Sequence, residues 1–443
     1  MSEAAFLNII RRIQKEIFQL QIVSNSKQHL NLINMKRALV FLQIVTIMGF
    51  VGCNKNNHNP VLVPKPIELT AKSIQVIEHS NGFGINLFSR VALDDNRNLM
   101  LSPLSASTAL TMLLNGCGGD TYDQLKSTLD YPSELSIAEI NEAYNSLVSQ
   151  LLKADPKVKL SLANSVFYRS GLNVKAPFIS TLEREFSAHV KQIDFSSPTA
   201  VSTINKWASD NTNGLITKVI DDISPDVAMF LLNALYFKGS WSNMFEKSST
   251  QFMPFYLANR TSVEVPTMMG EVDARVAYGE HWSALELPYG RTNFTMVIVM
   301  PNETLPDLYA ELSGELWNNI ISSIDAYSAF SETMVYLPKF KFSYEQMLND
   351  YLISMGMVDA FDELKANLSE MSDSQLYVDF VKQNTFVEVN EEGTEAAAVT
   401  TVGISNDGAP MPRRFIVDKP FVFAIRERTS NTLMFIGQVV NPK

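Results

Sequence analysis

The stretch Phe386-Val-Glu-Val-Asn-Glu-Glu-Gly-Thr-Glu-Ala-Ala-Ala-Val-Thr-Thr401 joins a strand pattern to a segment that can itself become a strand. The apolar residues up to Val389 predict a buried strand, and Gly393 then supplies a hinge because it has no Cβ. Residues 394–404 contain no Pro, Lys or Arg, and Glu395 is their only charge. An exposed loop has no need of such a composition, whereas a segment that enters a sheet requires it.

Strand alternation divides this segment into two faces. One face is uncharged, small at its start and apolar at its end: Thr394, Ala396, Ala398, Thr400, Val402 and Ile404. The opposite face carries the single charge: Glu395, Ala397, Val399, Thr401, Gly403 and Ser405. For this segment taken alone, an edge strand followed by an ordinary surface loop is the alternative interpretation.

Helix signals are clear in the first third of the chain. Apolar residues at helical spacing predict a helix over residues 73–91, with Ile74 on its apolar face. Ser102-Pro103 predicts a helix start, and Ser136 with Glu139 three residues later predicts a capping box. Strand patterns mix with helix patterns without regular alternation, which favours an α+β architecture over a doubly wound one.

Further motifs stand in order along the chain. They are Asn98-Leu-Met-Leu-Ser-Pro-Leu-Ser105, Leu232-Asn-Ala-Leu-Tyr-Phe-Lys-Gly-Ser-Trp241, Met296-Val-Ile-Val-Met-Pro-Asn302, Lys419-Pro-Phe-Val-Phe-Ala-Ile-Arg426 and Leu433-Met-Phe-Ile-Gly-Gln-Val-Val-Asn-Pro442. With the 386–401 stretch, they make residues 71–442 resemble the serpins. Serpins are protease inhibitors whose cleaved loop inserts into a β-sheet.

The resemblance implies the serpin fold over residues 71–443. This fold has a large central mixed β-sheet, two smaller sheets, about nine surrounding helices and an exposed reactive-centre loop. It also implies a monomeric suicide inhibitor of serine or cysteine endopeptidases, with which it forms a covalent complex. A non-inhibitory serpin that acts as a binding or carrier module is the alternative. The small hinge residues favour inhibition, because non-inhibitory members typically carry bulky, charged or Pro residues there.

The resemblance also assigns functional positions. The hinge and inserting loop are Glu391, Glu392, Gly393, Thr394, Glu395, Ala396, Ala397, Ala398, Val399 and Thr400. The shutter, a polar cluster beneath the centre of the sheet, is Ser102, Ser105, Asn233 and Gln383. The breach, where the loop first enters the sheet, is Trp241, Lys339 and Glu391. At Gln383 the family usually has a histidine, and glutamine does not titrate near neutral pH.

The reactive bond follows from the usual spacing in the family. Counted from Gly393, this spacing places the bond between Asp407 and Gly408, which suits a protease whose primary pocket accepts Asp. Counting back from the C-terminal strands instead gives a bond nearer Ala409 or Met411.

The N-terminal region carries targeting signals. Residues 35–53 have a basic start, an apolar run and a small residue before Cys53, which predicts a lipoprotein-type signal peptide. Cys53 would be lipidated and would anchor the chain to a bacterial membrane, on its periplasmic or cell-surface side. A plain secretory signal or a short signal-anchor is the alternative. Residues 54–70 predict a polar tether, and residues 1–34 are an upstream extension or a wrongly assigned start.

Composition and spacing exclude several other functions. The net charge of −11 argues against a nucleic-acid binder, which would show a basic stripe. The five histidines have no metal-ligand spacing, and no Gly-x-Ser-x-Gly elbow is present. We therefore expect no enzyme activity, metal or cofactor. With Cys53 lipidated, Cys117 is expected to be a small buried thiol.

Overall fold

The computed structural model describes residues 64–327, 329–394 and 413–443. Several predicted sites lie outside these ranges: Cys53, Glu395, Ala396, Ala397, Ala398, Val399, Thr400, Asp407 and Gly408. Of the described helices, none combines the length and hydrophobicity that a bilayer crossing requires. No group of His, Cys, Asp and Glu side chains within these three ranges could hold a metal ion.

Nine α-helices lie in the described part of the chain. They are α1 (Ala71–Asp94), α2 (Pro103–Leu114), α3 (Gly119–Thr128), α4 (Ile137–Leu151), α5 (Ala176–Phe186), α6 (Ala200–Asn211), α7 (Leu305–Glu311), α8 (Gly314–Asp325) and α9 (Asn349–Ser354). Their number agrees with the predicted fold.

The strands are β1 (Leu99–Leu101), β2 (Val158–Arg169), β3 (His189–Ile193), β4 (Met229–Ser240), β5 (Gln251–Tyr256), β6 (Ser262–Tyr278), β7 (Trp282–Pro288), β8 (Phe294–Pro301), β9 (Ser331–Pro338), β10 (Phe340–Met347), β11 (Lys382–Asn390), β12 (Gly393–Thr394), β13 (Arg413–Ile416), β14 (Phe421–Glu427) and β15 (Leu433–Val439). They form two hydrogen-bonded sheets.

Helix starts follow the predicted caps. Ser102 caps α2, its hydroxyl accepting a hydrogen bond from the Ser105 N–H at 3.2 Å, and Pro103 occupies the first turn. Ser136 and Glu139 form both halves of a capping box at the start of α4. Each cap satisfies main-chain N–H groups that have no partner inside the helix.

The central sheet has the strand order β10-β11-β12-β4-β2-β3 and is mixed, because β2 and β3 run parallel while the other pairs are antiparallel. The two-residue strand β12 lies between β11 and β4 at one end of the sheet. Beyond β12, no strand within the described residues lies between β11 and β4, and the two strands do not pair directly with each other.

The second sheet contains the two smaller sheets of the predicted fold, joined by the 17-residue strand β6. Its order is β1-β15-β14-β8-β7-β6-β9-β13, with β5 paired to β6. Every residue of β8, β14 and β15 is buried and most of them are apolar, so these strands lack the alternation of a sheet with one exposed face. The sheet supplies much of the core against which α1 and α2 pack.

Candidate functional site

The two residues of β12 belong to the predicted hinge and lie inside the sheet. Gly393 pairs with Asn390 and Ser240, and Thr394 pairs with Val389 and Gly239. We expected an exposed reactive-centre loop, but Gly393 and Thr394 already form a short strand between β11 and β4. The conformation depends on glycine, because Gly393 has φ of 141° and a Cβ there would lie 2.1 Å from the Gly239 carbonyl oxygen.

The Thr394 side chain is buried against a tyrosine. Its hydroxyl lies 2.7 Å from the hydroxyl of Tyr289, and only 5% of Thr394 is exposed. Burial raises the pKa of Tyr289, although the hydrogen bond to Thr394 opposes the shift. The phenol therefore stays neutral, and the hydroxyl pair satisfies two polar groups that would otherwise be buried alone.

The aromatic residue of the breach supports the same contact. The Trp241 ring stacks on the Tyr289 ring, with centroids 4.4 Å apart and planes 9° from parallel. The Trp241 indole N–H donates to the Asn390 carbonyl at 3.0 Å, and its main-chain N–H donates to the Glu392 carbonyl at 2.9 Å. Trp241 thus ties the end of β4 to the turn between β11 and β12.

The predicted ion pair of the breach is present. Lys339 Nζ lies 3.0 Å from the Glu391 carboxylate, which also accepts a hydrogen bond from the Thr250 hydroxyl at 2.7 Å. Burial by itself would raise the pKa of Glu391, but the hydrogen bonds of Thr250 and Lys339, together with the lysine charge, outweigh it, so the pKa is lowered. Glu391 is therefore a charged anchor at the start of the predicted hinge, two residues before Gly393. Its neighbour Glu392 pairs with Lys247.

Three of the four predicted shutter residues meet. The Gln383 side chain accepts a hydrogen bond from the Ser102 N–H at 3.1 Å and donates to the Ser102 carbonyl at 2.9 Å. The Ser102 hydroxyl donates to the Met434 carbonyl at 2.8 Å and accepts from the Ser105 N–H. Gln383 therefore binds β11 to the start of α2 without a group that titrates near neutral pH.

The fourth shutter residue, Asn233, is separate from these bonds. It donates to the side chain of Asn164 on β2, and its buried Oδ1 has no hydrogen-bond partner among the described residues. Asn233 nevertheless lines the same cavity as Ser102, Ser105 and Gln383, a space of about 380 Å³. This cavity lies between β4 and β11, where the two strands share no described ladder.

Comparisons with known proteins agree with this architecture. The family model described as "Serpin (serine protease inhibitor)" matches residues 78–442. The chain is 32% identical to Serpin B8 of Homo sapiens over 375 residues, which cover 82% of this chain and 99% of that protein. This chain belongs to the serpin family.

Solved serpin structures share its fold. The thermophilic serpin tengpin in its native state matches with a TM-score of 0.76 at 30% identity, covering 85% of this chain and 96% of that one. Human thyroxine-binding globulin in complex with thyroxine also matches with a TM-score of 0.76, at 25% identity, covering 84% of this chain and 100% of that one. The family is one of protease inhibitors, so a protease is the general class of partner for this serpin.

The sequence did not reveal every residue of the serpin's hinge site. Tyr289 is 105 positions from its partner Thr394, and Thr250 is 141 positions from Glu391. Tyr289 follows the end of β7, where nothing in its spacing distinguishes it from any tyrosine at a strand end. Only the strand order brings these side chains to the hinge.

Proposed function

We propose that this serpin is a suicide inhibitor of serine or cysteine endopeptidases, whose loop inserts between β4 and β11 after cleavage. The observation that supports the proposal is β12, since Gly393 and Thr394 already occupy the position of a strand between β11 and β4. A segment anchored there needs only to continue in the same direction.

The register of β12 defines the inserted product. Each further residue of the loop moves one position back along both neighbouring strands. A loop that inserts in this register would place Thr400 between Gln383 and Asn233, on the same inward face as Thr394. The Thr400 hydroxyl can then donate to Asn233 Oδ1, the buried acceptor that has no described partner.

The free energy of insertion comes from many small contributions. Each inserted residue gains ladder hydrogen bonds with a net contribution of about 1 kcal/mol each. Extended from Thr394 in the same register, Ala396 would pair with Val387 and Ala398 with Thr385, and both alanines are small enough to enter the interior of the sheet. Over the ten residues 395–404 the total is on the order of 10 kcal/mol, which resembles the stability of a whole domain.

The trapping step begins as ordinary proteolysis. The protease nucleophile attacks the carbonyl carbon of Asp407, the bond to the Gly408 nitrogen breaks, and that nitrogen takes a proton from the general acid of the protease. The acyl bond joins Asp407 to the enzyme while the freed segment inserts. Insertion must be faster than hydrolysis of this acyl bond; otherwise the serpin is only a substrate.

The experiment is incubation of the full chain with Asp-, Met/Ala- and Arg-directed serine and cysteine proteases, followed by denaturing electrophoresis and mass spectrometry. We expect a covalent band and a released peptide that begins at Gly408. A peptide beginning elsewhere corrects the reactive bond and leaves the mechanism intact. Cleavage without a complex, and without a gain in thermal stability of the cleaved protein, would refute inhibition and favour a binding or carrier module.

We also propose that Cys53 is lipidated and attaches the serpin to a bacterial membrane. The support is the signal pattern of residues 35–53. Expression with a radiolabelled or alkyne-tagged fatty acid tests it, with Cys53→Ser as the matched variant. Equal labelling of the two proteins would rule out this attachment.

A further inference from the structure

The segment before α1 is bound to the body by hydrogen bonds to several side chains, and one of these is an asparagine that bonds twice to the same residue. The Lys65 N–H donates to Asn293 Oδ1 at 2.9 Å, and Asn293 Nδ2 donates to the Lys65 carbonyl at 2.7 Å. Two residues on, the Ile67 N–H donates to the Thr429 hydroxyl at 3.0 Å, and the Ile67 side chain is buried. The end of the predicted 54–70 tether is thus attached to the body of the serpin. We call the paired bonds between Asn293 and Lys65 the clasp.

Asn293 ends the short turn that begins at Tyr289. This turn joins β7 to β8, and the Thr292 N–H donates to the Tyr289 carbonyl at 2.7 Å within it. Gly290 sits in the turn with φ of 52°, and its N–H donates to the Ser240 carbonyl at 2.9 Å. Three residues, 290–292, therefore separate Asn293 of the clasp from the tyrosine that holds Thr394.

Asp155 closes the turn from a second side. Its carboxylate accepts a hydrogen bond from the Arg291 N–H, and a Cβ on Gly290 would lie 2.5 Å from the same carboxylate. With Asp155 4% exposed, the turn has little room to change shape independently at its two ends. We therefore expect a displacement at Asn293 to be transmitted to Tyr289.

We infer that Asn293 is a positioning residue that couples the segment at Lys65 to the docking of the hinge at Tyr289. The clasp holds the turn, the turn holds the Tyr289 hydroxyl, and that hydroxyl holds Thr394. Because docking is the first step of the insertion proposed above, the consequence for trapping rests on that proposed function. A force on the chain before Lys65, or a partner bound there, acts on the hinge through the same contacts.

The experiment measures hydrogen exchange by mass spectrometry in the full chain, on a peptide that spans Asn390 to Thr394. Two variants open the clasp from opposite sides. Asn293→Ala removes the side chain, and Lys65→Pro removes the donor N–H while leaving the turn untouched. Each is expected to accelerate exchange at the hinge by about two- to ten-fold, the effect of weakening one hydrogen bond.

Asn98→Ala is the matched control. Asn98 forms the same kind of clasp on another segment, accepting from the Val440 N–H at 2.8 Å and donating to the Asn441 carbonyl at 2.6 Å. It is expected to leave exchange at the hinge unchanged. Tyr289→Phe removes the hydroxyl that the clasp is inferred to position, so Asn293→Ala should add little to this variant.

The outcomes separate this inference from the proposed function, because the exchange measurement needs no protease. Hinge exchange at the wild-type rate in both clasp variants would overturn the coupling, as would equal acceleration in Asn98→Ala. Protease trapping is then measured on the same proteins. Normal trapping by the wild type with no difference at the hinge refutes the coupling alone. Faster hinge exchange in the two clasp variants, with no trapping by any of the proteins including the wild type, supports the coupling and refutes inhibition.

Discussion

Replacing Thr394 with arginine tests the insertion mechanism at the residue where insertion starts. In the structure the side chain points to the Tyr289 hydroxyl, and 5% of the residue is exposed. Arginine would bring a guanidinium group to this position, where Tyr289 offers one hydroxyl and no negative charge. A charge buried without a partner costs several kcal/mol even after relaxation.

The rate consequence follows from that cost. If about 3 kcal/mol is added to the insertion barrier, insertion slows by more than about 100-fold, since each 1.4 kcal/mol is a factor of ten. Hydrolysis of the acyl-enzyme is performed by the protease and keeps its rate. We expect the Thr394→Arg variant to be cleaved at the wild-type rate and to trap about one protease in a hundred or fewer.

The assay titrates a protease that the wild-type serpin traps with each variant. It measures the covalent band by denaturing electrophoresis and the residual activity of the protease. Thr394→Ser is the matched control, because it keeps the hydroxyl that Tyr289 binds, and it should trap almost normally. Wild-type trapping by Thr394→Arg would refute the argument that this side chain must enter the interior of the sheet.

Three other predictions concern the breach, the shutter and the buried thiol. The lowered pKa of Glu391 stabilises the fold at pH values above 4.5, the ordinary pKa of glutamate, and this stabilisation is lost as the pH falls through the lower pKa of the folded state. The difference in melting temperature between wild type and Glu391→Gln should therefore shrink below pH 4.5. A constant difference down to pH 3 would contradict the ion pair with Lys339. Gln383→Leu removes the two hydrogen bonds that the Gln383 side chain forms with the Ser102 main chain. It should lower the free energy of unfolding by about 1–3 kcal/mol in urea titrations. An unchanged midpoint of urea unfolding would argue against these bonds. Burial raises the pKa of Cys117 to about 12, so iodoacetamide at pH 8 should label its peptide only after unfolding, and rapid labelling of the folded protein would show an accessible thiol.

Local signals predicted much of the fold, because they depend on neighbours in the sequence. The cap at Ser102 and the capping box at Ser136 lie where the sequence placed them, since each is completed within three residues. Ile74 is a failure of the same reasoning. Helical spacing placed Ile74 on the apolar face of α1, yet it is 43% exposed in the first turn. The spacing shows which way a side chain faces, but it does not show whether the rest of the protein covers that end of the helix.

The functional site was predicted less completely than the fold. The resemblance identified Lys339 and Glu391, and the structure brings them together, but it gave no sign of Tyr289 or of Asn164, the partner of Asn233. Those contacts are created by strand order and register, which no local pattern contains. The early docking of Thr394 was missed for the same reason, because it depends on the shape of the Tyr289 turn.

The docked strand β12 changes which step would limit the rate of the proposed insertion. A free loop would first have to find the slot, and the entropy of closing a long loop would set the rate. Here Thr394 is already paired with both neighbouring strands, so in the proposed insertion each later residue would have to close only a short gap. The same pairing is available when no protease has arrived. In the proposed mechanism one barrier, the advance from Thr394 to the next residue, sets both the lifetime of the resting molecule and the speed at which it traps a protease. A substitution that lowers this barrier would speed trapping and shorten the resting lifetime.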